Sequence, residues 1–341
     1  MNSPPKISAV VLAWNEEPFL RRCVQALLGS EDAIVDVILV DNGCTTDDVA
    51  ALAELPQVSV IRPGTNLGFS GGCNTGAAAA TGDYLALVGS DAIVTPRVLA
   101  RLHEQLQRPD VGIAAAAIRL ADQPDLLNSS GNLIHVLGVS WVGGMGQPDT
   151  RTSPTDVAGA MGTCVLMRRE HWERLGGFDA EYFAYFEDAE ISLRTWRLGQ
   201  RVVNVPDAIV HHRYEFARNS FKFYLIERNR LMFVLTLWGW RALLLLAPPL
   251  LALETAMLLL ALKQGWLREK TRGYGWLWAH RRHVRQRRRQ LQAERVVPDR
   301  QWMPRLLTDT FDTPLIPLPP GILKVLNASM RAYWAVVRRG V

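Results

Sequence analysis

The chain has 341 residues, 48% hydrophobic and 21% charged, enough to bury a sizeable core in one large domain plus an appendage. Cys23, Cys44, Cys73 and Cys164 show no paired spacing, which excludes a disulfide framework or a zinc cluster and fits a reducing compartment. The net charge of +5 is concentrated between Arg268 and Arg289, so the basic excess is a local surface suited to something anionic.

Ile7–Trp14 is a continuous apolar run rich in β-branched residues, as expected of a buried parallel strand. It is too short for a secretory leader and runs into Asn15, Glu16 and Glu17, so no signal peptide is expected. Asn15 can cap a helix with Phe19, Val24, Leu27 and Leu28 on its apolar side and Gly29 at its end. Ile34–Val40 predicts a second buried strand, closed by an Asp41-Asn42-Gly43 turn, and Thr45–Asp48 start another helix. Val58–Ile61 is a third strand, Asn66–Gly72 reads as a Gly-rich loop, and Asn74–Ala80 as a small-residue helix. A fourth strand, Asp83–Val88, ends at Gly89-Ser90-Asp91, and Pro96 opens a helix to Gln107. Strands alternating with helices predict an α/β fold with a mostly parallel sheet. Ligands of such sheets bind beyond the carboxyl ends of the strands, the rim that Asp41 and Asp91 share.

Ile113–Ile118 predicts a fifth strand. Gln123–Thr155, rich in Gly, Pro, Asn and Ser, reads as loops and a hairpin, and Gly162–Arg168 as another strand. His171–Leu175 is a short helix capped by Gly176-Gly177. The stretch Tyr182–His212 then opens on aromatics and reaches Glu187, Asp188 and Glu190. A helical pattern with Ile191, Leu193 and Trp196 follows and ends at Gly199. A short strand, Arg201–Val205, is expected to stop at Pro206, and Ile209-Val210 lead to His211-His212. None of these polar groups needs a ligand when taken alone. Carboxylates favour helix starts, an Asp-Asn-Gly turn is self-sufficient, and a His pair can bond to nearby backbone.

Taken together, VVLAWNEE, ILVDNGCTTDD, NLGFSGGCNTGAAAATGDYLALVGSDAIV, GGFDAEYFAYFEDAEISLR and the final HH resemble the inverting family 2 glycosyltransferases of the GT-A fold. Rhamnosyltransferase-like bacterial members are the most similar, over residues 6–235. The resemblance implies a Rossmann-like catalytic domain over residues 1–230 that binds a nucleoside-diphosphate sugar and inverts the anomeric centre by single displacement. It places Asp91 at the metal-binding acidic motif, for Mg²⁺ or Mn²⁺, which suit hard oxygen ligands. Ser90 stands where family members often carry a second acid, leaving one carboxylate plus the donor's diphosphate oxygens. A later histidine completes the site, and alignment through Ala208-Ile209-Val210 favours His211 over His212. Asp41 matches the acid that contacts the nucleoside, with Ala13, Trp14, Asn15 and Glu16 flanking the base. Asn66, Gly68 and Asn74 approach the diphosphate or shape the pocket. Asp188 matches the family's catalytic base, and Glu187 orients the acceptor or tunes Asp188.

After Arg228-Asn229-Arg230 the composition changes. Leu231–Trp240 is apolar, Arg241 interrupts, and Ala242–Leu262 is apolar again except for Glu254. The second run is long enough to span a bilayer, yet Pro248-Pro249 interrupt it and Glu254 is costly at the midplane. Cations lie on both flanks: Arg218, Lys222, Arg228 and Arg230 before, Lys263, Arg268, Lys270 and Arg272 after. By the positive-inside rule both sides are cytoplasmic. The expectation is therefore a helical membrane-associated segment, residues 231–297, on the cytoplasmic face of the cell membrane. It would form a re-entrant hairpin or in-plane helices bending near the prolines; the alternative is a buried helical hairpin of a soluble protein. The basic run His280–Gln290 is read as a phospholipid anchor and not a nucleic-acid contact. Residues 298–341 form a tail with Pro314, Pro317, Pro319 and Pro320, ending in an amphipathic helix, Ile322–Val337.

The sequence thus points to a metal-dependent inverting glycosyltransferase of cell-envelope polysaccharide assembly. The expected donor is dTDP-rhamnose or another nucleotide sugar, the acceptor a glycan or polyprenyl-linked glycan, and the further partner membrane lipid; homo-oligomerisation stays open. A sugar nucleotidyltransferase would carry a basic Gly-rich loop after its first strand, where Asn15-Glu16-Glu17 stand. A non-catalytic nucleotide-sugar-binding or membrane scaffold would bind the donor without turnover.

Overall fold

The computed structural model describes residues 3–213, 220–312 and 319–341; Arg218, Pro314 and Pro317, named above, lie outside them. Strands and helices alternate from the start: β1 (Lys6–Asn15), α1 (Leu20–Leu28), β2 (Ile34–Cys44), α2 (Asp48–Leu52), β3 (Val58–Ile61), α3 (Gly68–Ala78) and β4 (Tyr84–Val88). Next come β5 (Ala92–Val94), α4 (Val98–Leu106), β6 (Val111–Leu120), β7 (Leu127–Ser129), β8 (Asn132–Ile134), β9 (Ser140–Val142) and β10 (Thr155–Asp156). The strand β11 (Cys164–Arg168), the helices α5 (Arg169–Leu175) and α6 (Glu187–Arg197), and β12 (Arg201–His212) complete this part.

The sheet order is β10-β12-β6-β11-β4-β1-β2-β3, with β5 added on β12 and β7 on β6. Strands β1 to β4 pair in parallel. Strand β11 is antiparallel to both β4 and β6, and β12 is parallel to β6. The expected mostly parallel α/β sheet is therefore present. In β1, Ile7, Ala9, Val10, Val11 and Ala13 are all buried, because helices cover both faces of a parallel sheet. Helix α1 turns Leu20, Cys23, Val24 and Leu27 into the same core.

Three local structures differ from the expectation. The Gly-rich stretch is not a loop up to Gly72: α3 starts at Gly68. Its glycines let helix and sheet approach closely. A Cβ on Gly72 would stand 2.4 Å from Leu12 Cδ2, and one on Gly76 2.4 Å from Val10 Cγ1. Strand β2 runs on through Asp41-Asn42-Gly43, with Asp41 paired to Ala13 before a bulge brings Asn15 opposite Cys44. Strand β12 does not stop at Pro206. Its register to β6 slips between Val205 and Ile209, so the residue without an N–H sits in a bulge and the ladder resumes toward His212.

The chain divides into two compact units. The first is the part described above except Leu133–Trp141 and Trp196–Gly199. The second takes in Leu133–Trp141, Trp196–Gly199 and the chain described from Ser220 onward. It contains α7 (Ser220–Leu237), α8 (Trp240–Gln264), α9 (Leu267–Ala279), α10 (Arg281–Glu294), α11 (Asp299–Leu306) and α12 (Pro320–Val337). Trp238 is buried within it, donating Nε1–H to Val136 O at 2.9 Å and lying edge-on to Trp302. The backbone N–H groups of Val296 and Val297 both donate to Arg197 O at 2.9 Å.

Among the described residues, α8 is the one helix long and apolar enough to cross a membrane. Pro248-Pro249 do not split α8 in two: it is one helix of 25 residues with both prolines inside it. Pro249 lacks the N–H that would bond Leu245 O, and the Tyr333 hydroxyl from α12 donates to that carbonyl instead. Glu254 is also provided for. It accepts from Arg230 of α7, from Lys270 Nζ of α9 at 2.8 Å and from the Tyr274 hydroxyl at 2.6 Å. Glu227 pairs with Lys270 as well. Arg228 lies against the Tyr224 and Trp276 rings, 5.4 and 4.4 Å from their centroids. Arg228, Arg230 and Lys270, read above as flanking surface charge, are thus buried inside the helical unit.

Candidate active site

The parallel register brings the carboxyl ends of β1, β2, β4, β6 and β12 to one rim, and the polar residues gather there. Trp14, at the end of β1, is 59% exposed, a large ring left in solvent at a sheet rim. Asn15 and Glu16 beside it are exposed; Ala13 is buried and offers only backbone. Asn15 has φ 55°, a left-handed turn out of the strand, and its carbonyl accepts from Thr45 N at 3.1 Å. The Asp41 carboxylate accepts from Gly43 N at 3.3 Å and Cys44 N at 3.0 Å, which fixes it at the end of β2.

Asn66, Gly68 and Asn74 are committed to the framework. Buried Asn42 donates to Asn66 Oδ1 at 3.0 Å and accepts from Leu67 N at 2.8 Å, clamping the entry to α3. Gly68, at φ 69°, leaves 2.4 Å between a would-be Cβ and Phe183 O, and Ser70 N donates to that same carbonyl at 3.0 Å. Asn74 bonds Phe178 through both ends of its amide, Nδ2 to Phe178 O and Phe178 N to Oδ1, each at 2.9 Å. These residues tie α3 to the segment that carries the acidic cluster.

Ser90 and Asp91 are half-buried where β4 ends. Strand β5 follows at once and pairs antiparallel with the end of β12, placing Ala92 opposite His212 and Ile93 opposite His211. Side chains alternate along a strand, so one histidine of the pair faces Asp91. It is His212, with Nε2 3.0 Å from Asp91 Oδ2, and not the expected His211. The bulge after Val205 sets this phase, and alignment of residue types could not reveal it. His211 lies on the other side of the strand, where burial and nearby Arg119 hold its pKa below the usual value. The Nδ1–H of His212 donates to Asn128 Oδ1 at 2.8 Å, which turns the Nε2 side toward the carboxylate.

The acidic cluster is presented by a strained loop. Phe183 has φ 62° and ψ −62°, and Ala184 N donates to Tyr182 O at 2.7 Å, closing a γ-turn. Tyr185 and Phe186 also have positive φ, 71° and 77°. Non-glycine residues adopt such angles only where surrounding structure enforces them, often at functional sites. Helix α6 begins at Glu187. Asp188 Oδ2 accepts from Gly162 N and from Asn132 Nδ2, each at 3.1 Å, while Oδ1 accepts from Ala189 N at 2.7 Å. Burial raises its pKa above the usual carboxylate value, and these three donors moderate the rise. Glu187 is only 6% exposed; burial and the adjacent Asp188 push its pKa well above the ordinary range. Glu190 is spent on structure, paired with Arg194 at 3.2 Å in the core.

The rim and the acidic cluster meet at Gly162-Thr163. Gly162 N holds Asp188, and Thr163 O accepts from Gly89 N at 2.9 Å, two residues before Asp91. Asp91 with His212 and Asp188 with Glu187 therefore flank one short segment. Asn128, Asn132 and Gly162 escaped the sequence reading. Asn128 and Asn132 sit in a stretch whose composition signals only turns, and nothing local marks their partners.

Residues 8–176 match the family model described as glycosyl transferase family 2. The chain is 27% identical over 235 residues to the N-acetylglucosaminyl-diphospho-decaprenol L-rhamnosyltransferase of Mycobacterium tuberculosis (strain CDC 1551 / Oshkosh), covering 61% of this chain and 76% of that protein. It is 28% identical over 227 residues to the O-antigen biosynthesis protein RfbC of Myxococcus xanthus, covering 61% of this chain and 17% of the relative. Among solved structures, GalNAc-T7 with UDP, GalNAc and Mn²⁺ superposes with a TM-score of 0.59 at 18% identity, over 69% of this chain and 48% of that one. A mannosyltransferase from Pyrobaculum calidifontis with GDP-Man and Mn²⁺ superposes with a TM-score of 0.51 at 16% identity, over 81% of this chain and 75% of that one. These superpositions establish the shared fold.

Proposed function

The chain belongs to glycosyl transferase family 2, and on that premise we propose that it transfers a sugar, with inversion, from a nucleoside-diphosphate donor to a lipid-linked glycan. The observation that carries this reading is that Gly162 N holds Asp188 while the adjacent Thr163 O accepts from Gly89 N, two residues before the Asp91 that meets His212. One carboxylate takes a proton while the other site meets the leaving group.

The acceptor hydroxyl gives its proton to the Asp188 carboxylate as its oxygen bonds the anomeric carbon. The bond from that carbon to the diphosphate breaks on the opposite face, and the nucleoside diphosphate departs with the electron pair. The raised pKa of Asp188 suits it to hold that proton. Asn132 is the positioning residue: its amide donates to Asp188 Oδ2 and fixes the carboxylate plane. Burial and the adjacent Asp188 disfavour the charged form of Glu187 beside the base.

A divalent cation fits the other site. Both nitrogens of His212 face oxygen acceptors, Asn128 Oδ1 on one side and Asp91 Oδ2 on the other. With the proton on Nδ1, the Nε2 lone pair and the carboxylate point into the same space, an arrangement that a shared cation relieves. Asp91 and His212 would hold Mn²⁺ or Mg²⁺ with the donor's phosphate oxygens, Mn²⁺ being the better match for an imidazole. Such a cation neutralises charge growing on a leaving diphosphate. Exposed Trp14 would stack on the base, and Asp41, at the end of the neighbouring strand, would contact the nucleoside.

The rhamnosyl donor and the polyprenyl-linked acceptor are supported by the name of the mycobacterial relative, and polysaccharide assembly by that of the Myxococcus protein. The apolar helix α8 supports membrane association. The test is release of nucleoside diphosphate from a panel of nucleotide sugars with Mn²⁺ or Mg²⁺. Release from dTDP-rhamnose, abolished by chelator and by Asp91→Ala, is expected. Donor binding without release, in the presence of a polyprenyl-diphosphate acceptor, would mean a binding protein instead.

A further inference from the structure

Helix α8 has a one-sided exposure pattern. Leu244, Pro248, Leu251, Thr255, Leu259 and Leu262 are exposed at helical spacing, a single stripe along its whole length. Leu251 is 68% exposed, and Arg241 and Lys263 stand at the two ends of the stripe. The opposite side carries Ala242, Leu246 and Ala261, which are buried, and Glu254, which is tied to Arg230 and Lys270.

Helix α12 repeats the pattern. Ile322, Val325, Ala332 and Val336 are exposed, with Lys324, Arg331 and Arg338 exposed at intervals of seven residues beside them. Neither helix bears an exposed acid: Glu254 is the only carboxylate in either. The Tyr333 bond to Leu245 O joins the two helices. Two apolar stripes edged solely by cations match an anionic lipid surface in both polarity and sign.

We infer that α8 and α12 form a monotopic platform lying in the plane of an anionic phospholipid bilayer, with α8 not crossing it. This rests on the membrane association proposed above and specifies its geometry. Arg241 and Lys263 are about 33 Å apart at 1.5 Å per residue, so length alone would permit a span. The middle of the helix forbids it. A spanning α8 would set Glu254 near the midplane, and with it Glu227, Arg230 and Lys270. Arg268 and Arg272, exposed two residues either side of Lys270, would then sit in hydrocarbon. In the plane of the bilayer, the leucine stripe reaches the acyl boundary while the ion cluster stays on the protein side.

The test uses the full chain and vesicles of phosphatidylcholine alone or mixed with phosphatidylglycerol. The protein is expected to float with the mixed vesicles and be released by salt. Lys324→Glu with Arg331→Glu should weaken that binding about tenfold or more, and Leu251→Glu with Leu259→Glu should abolish it. Fluorophores on cysteines at positions 244, 251 and 259, in a Cys44→Ser background, should report one shared shallow depth with lipid-borne quenchers. A deep signal at 251 between two shallow ones overturns the platform in favour of a span. Failure to bind either vesicle, with the Leu→Glu pair converting a dimer to a monomer, overturns it in favour of a second copy on this face. Donor hydrolysis, measured on the same variants, is expected to be unchanged; its loss in the parent chain would count against the catalytic reading alone.

Discussion

Two buried acidic clusters in this molecule behave oppositely. In the helical unit, Glu227 and Glu254 face Arg230 and Lys270, so each buried charge meets its opposite. At the start of α6, buried Glu187 lies beside half-buried Asp188, and the donors that Asp188 meets are neutral: two backbone N–H groups and an amide. The first arrangement anchors helices. The second raises proton affinity, because burial and like charge penalise the ionised form. Glu190, three residues after Glu187, shows how little separates them: paired with Arg194, it is a structural residue on the same helix. A carboxylate's role is decided by what faces it.

Breaking each cluster separates the two roles. Asp188→Asn is expected to lower turnover by about 10²–10⁴ while far-UV circular dichroism and donor binding by calorimetry stay as in the parent. Full turnover would remove Asp188 as the base. Glu254→Ala leaves Glu227 alone to face both Arg230 and Lys270, and should cost ~1–3 kcal/mol of unfolding free energy in urea. A loss below ~1 kcal/mol, the range of exposed pairs, would show that the cluster is solvated. His212→Ala should raise the Mn²⁺ concentration for half-maximal activity, whereas His211→Ala should leave it unchanged. Asn128→Ala, acting through the His212 ring, should raise it about 10–100-fold. The reverse ranking of the two histidines would reassign the site to His211.

Two smaller effects sharpen the contrast. Asn132 donates to the charged form of Asp188, so Asn132→Ala should move the acid limb of the kcat/KM profile to higher pH. Because a hydrogen bond to a charged group is worth ~1.5–3 kcal/mol, about a tenfold loss is expected on the acid side. A uniform loss at every pH would mean Asn132 is only structural. Glu187 has its folded pKa raised above the ordinary value of 4.5, so the folded state binds its proton more tightly than the unfolded chain. The stability it contributes is fully present below that ordinary value and is lost as pH rises through the raised one. Glu187→Gln should therefore flatten the fall in unfolding free energy as pH rises above the ordinary value of 4.5. An unchanged slope would place the titration elsewhere.

Much of the sheet was legible from residue order. The continuous apolar runs at Ile7–Trp14 and Ile34–Val40 became the buried centre of the sheet, since only a strand covered on both faces tolerates apolar residues at every position. The carboxyl-rim placement of Asp41 and Asp91 followed from the strand–helix alternation alone. Glycines misled: the NLGFSGG stretch is mostly helix, because Gly72 and Gly76 make room for Leu12 and Val10, a requirement that appears only once the helix lies on the sheet. Prolines misled as well. Pro206 sits in a bulge and Pro248-Pro249 inside a helix, where partners distant in sequence, such as Tyr333, supply what the missing N–H groups withhold.

Residue types and their spacing determined by themselves that this chain forms an α/β sheet with acids at its carboxyl rim and an apolar helical appendage, since periodicity and strand-end chemistry are local properties. Only the tertiary structure decided that His212 and not His211 meets Asp91, that Asn132 holds Asp188, and that Glu254 is neutralised by Arg230 and Lys270. The physical reason is range. Each of those facts depends on a register shift or a contact between residues far apart in the chain, and a partner that closes such a contact leaves no mark on the residues beside it.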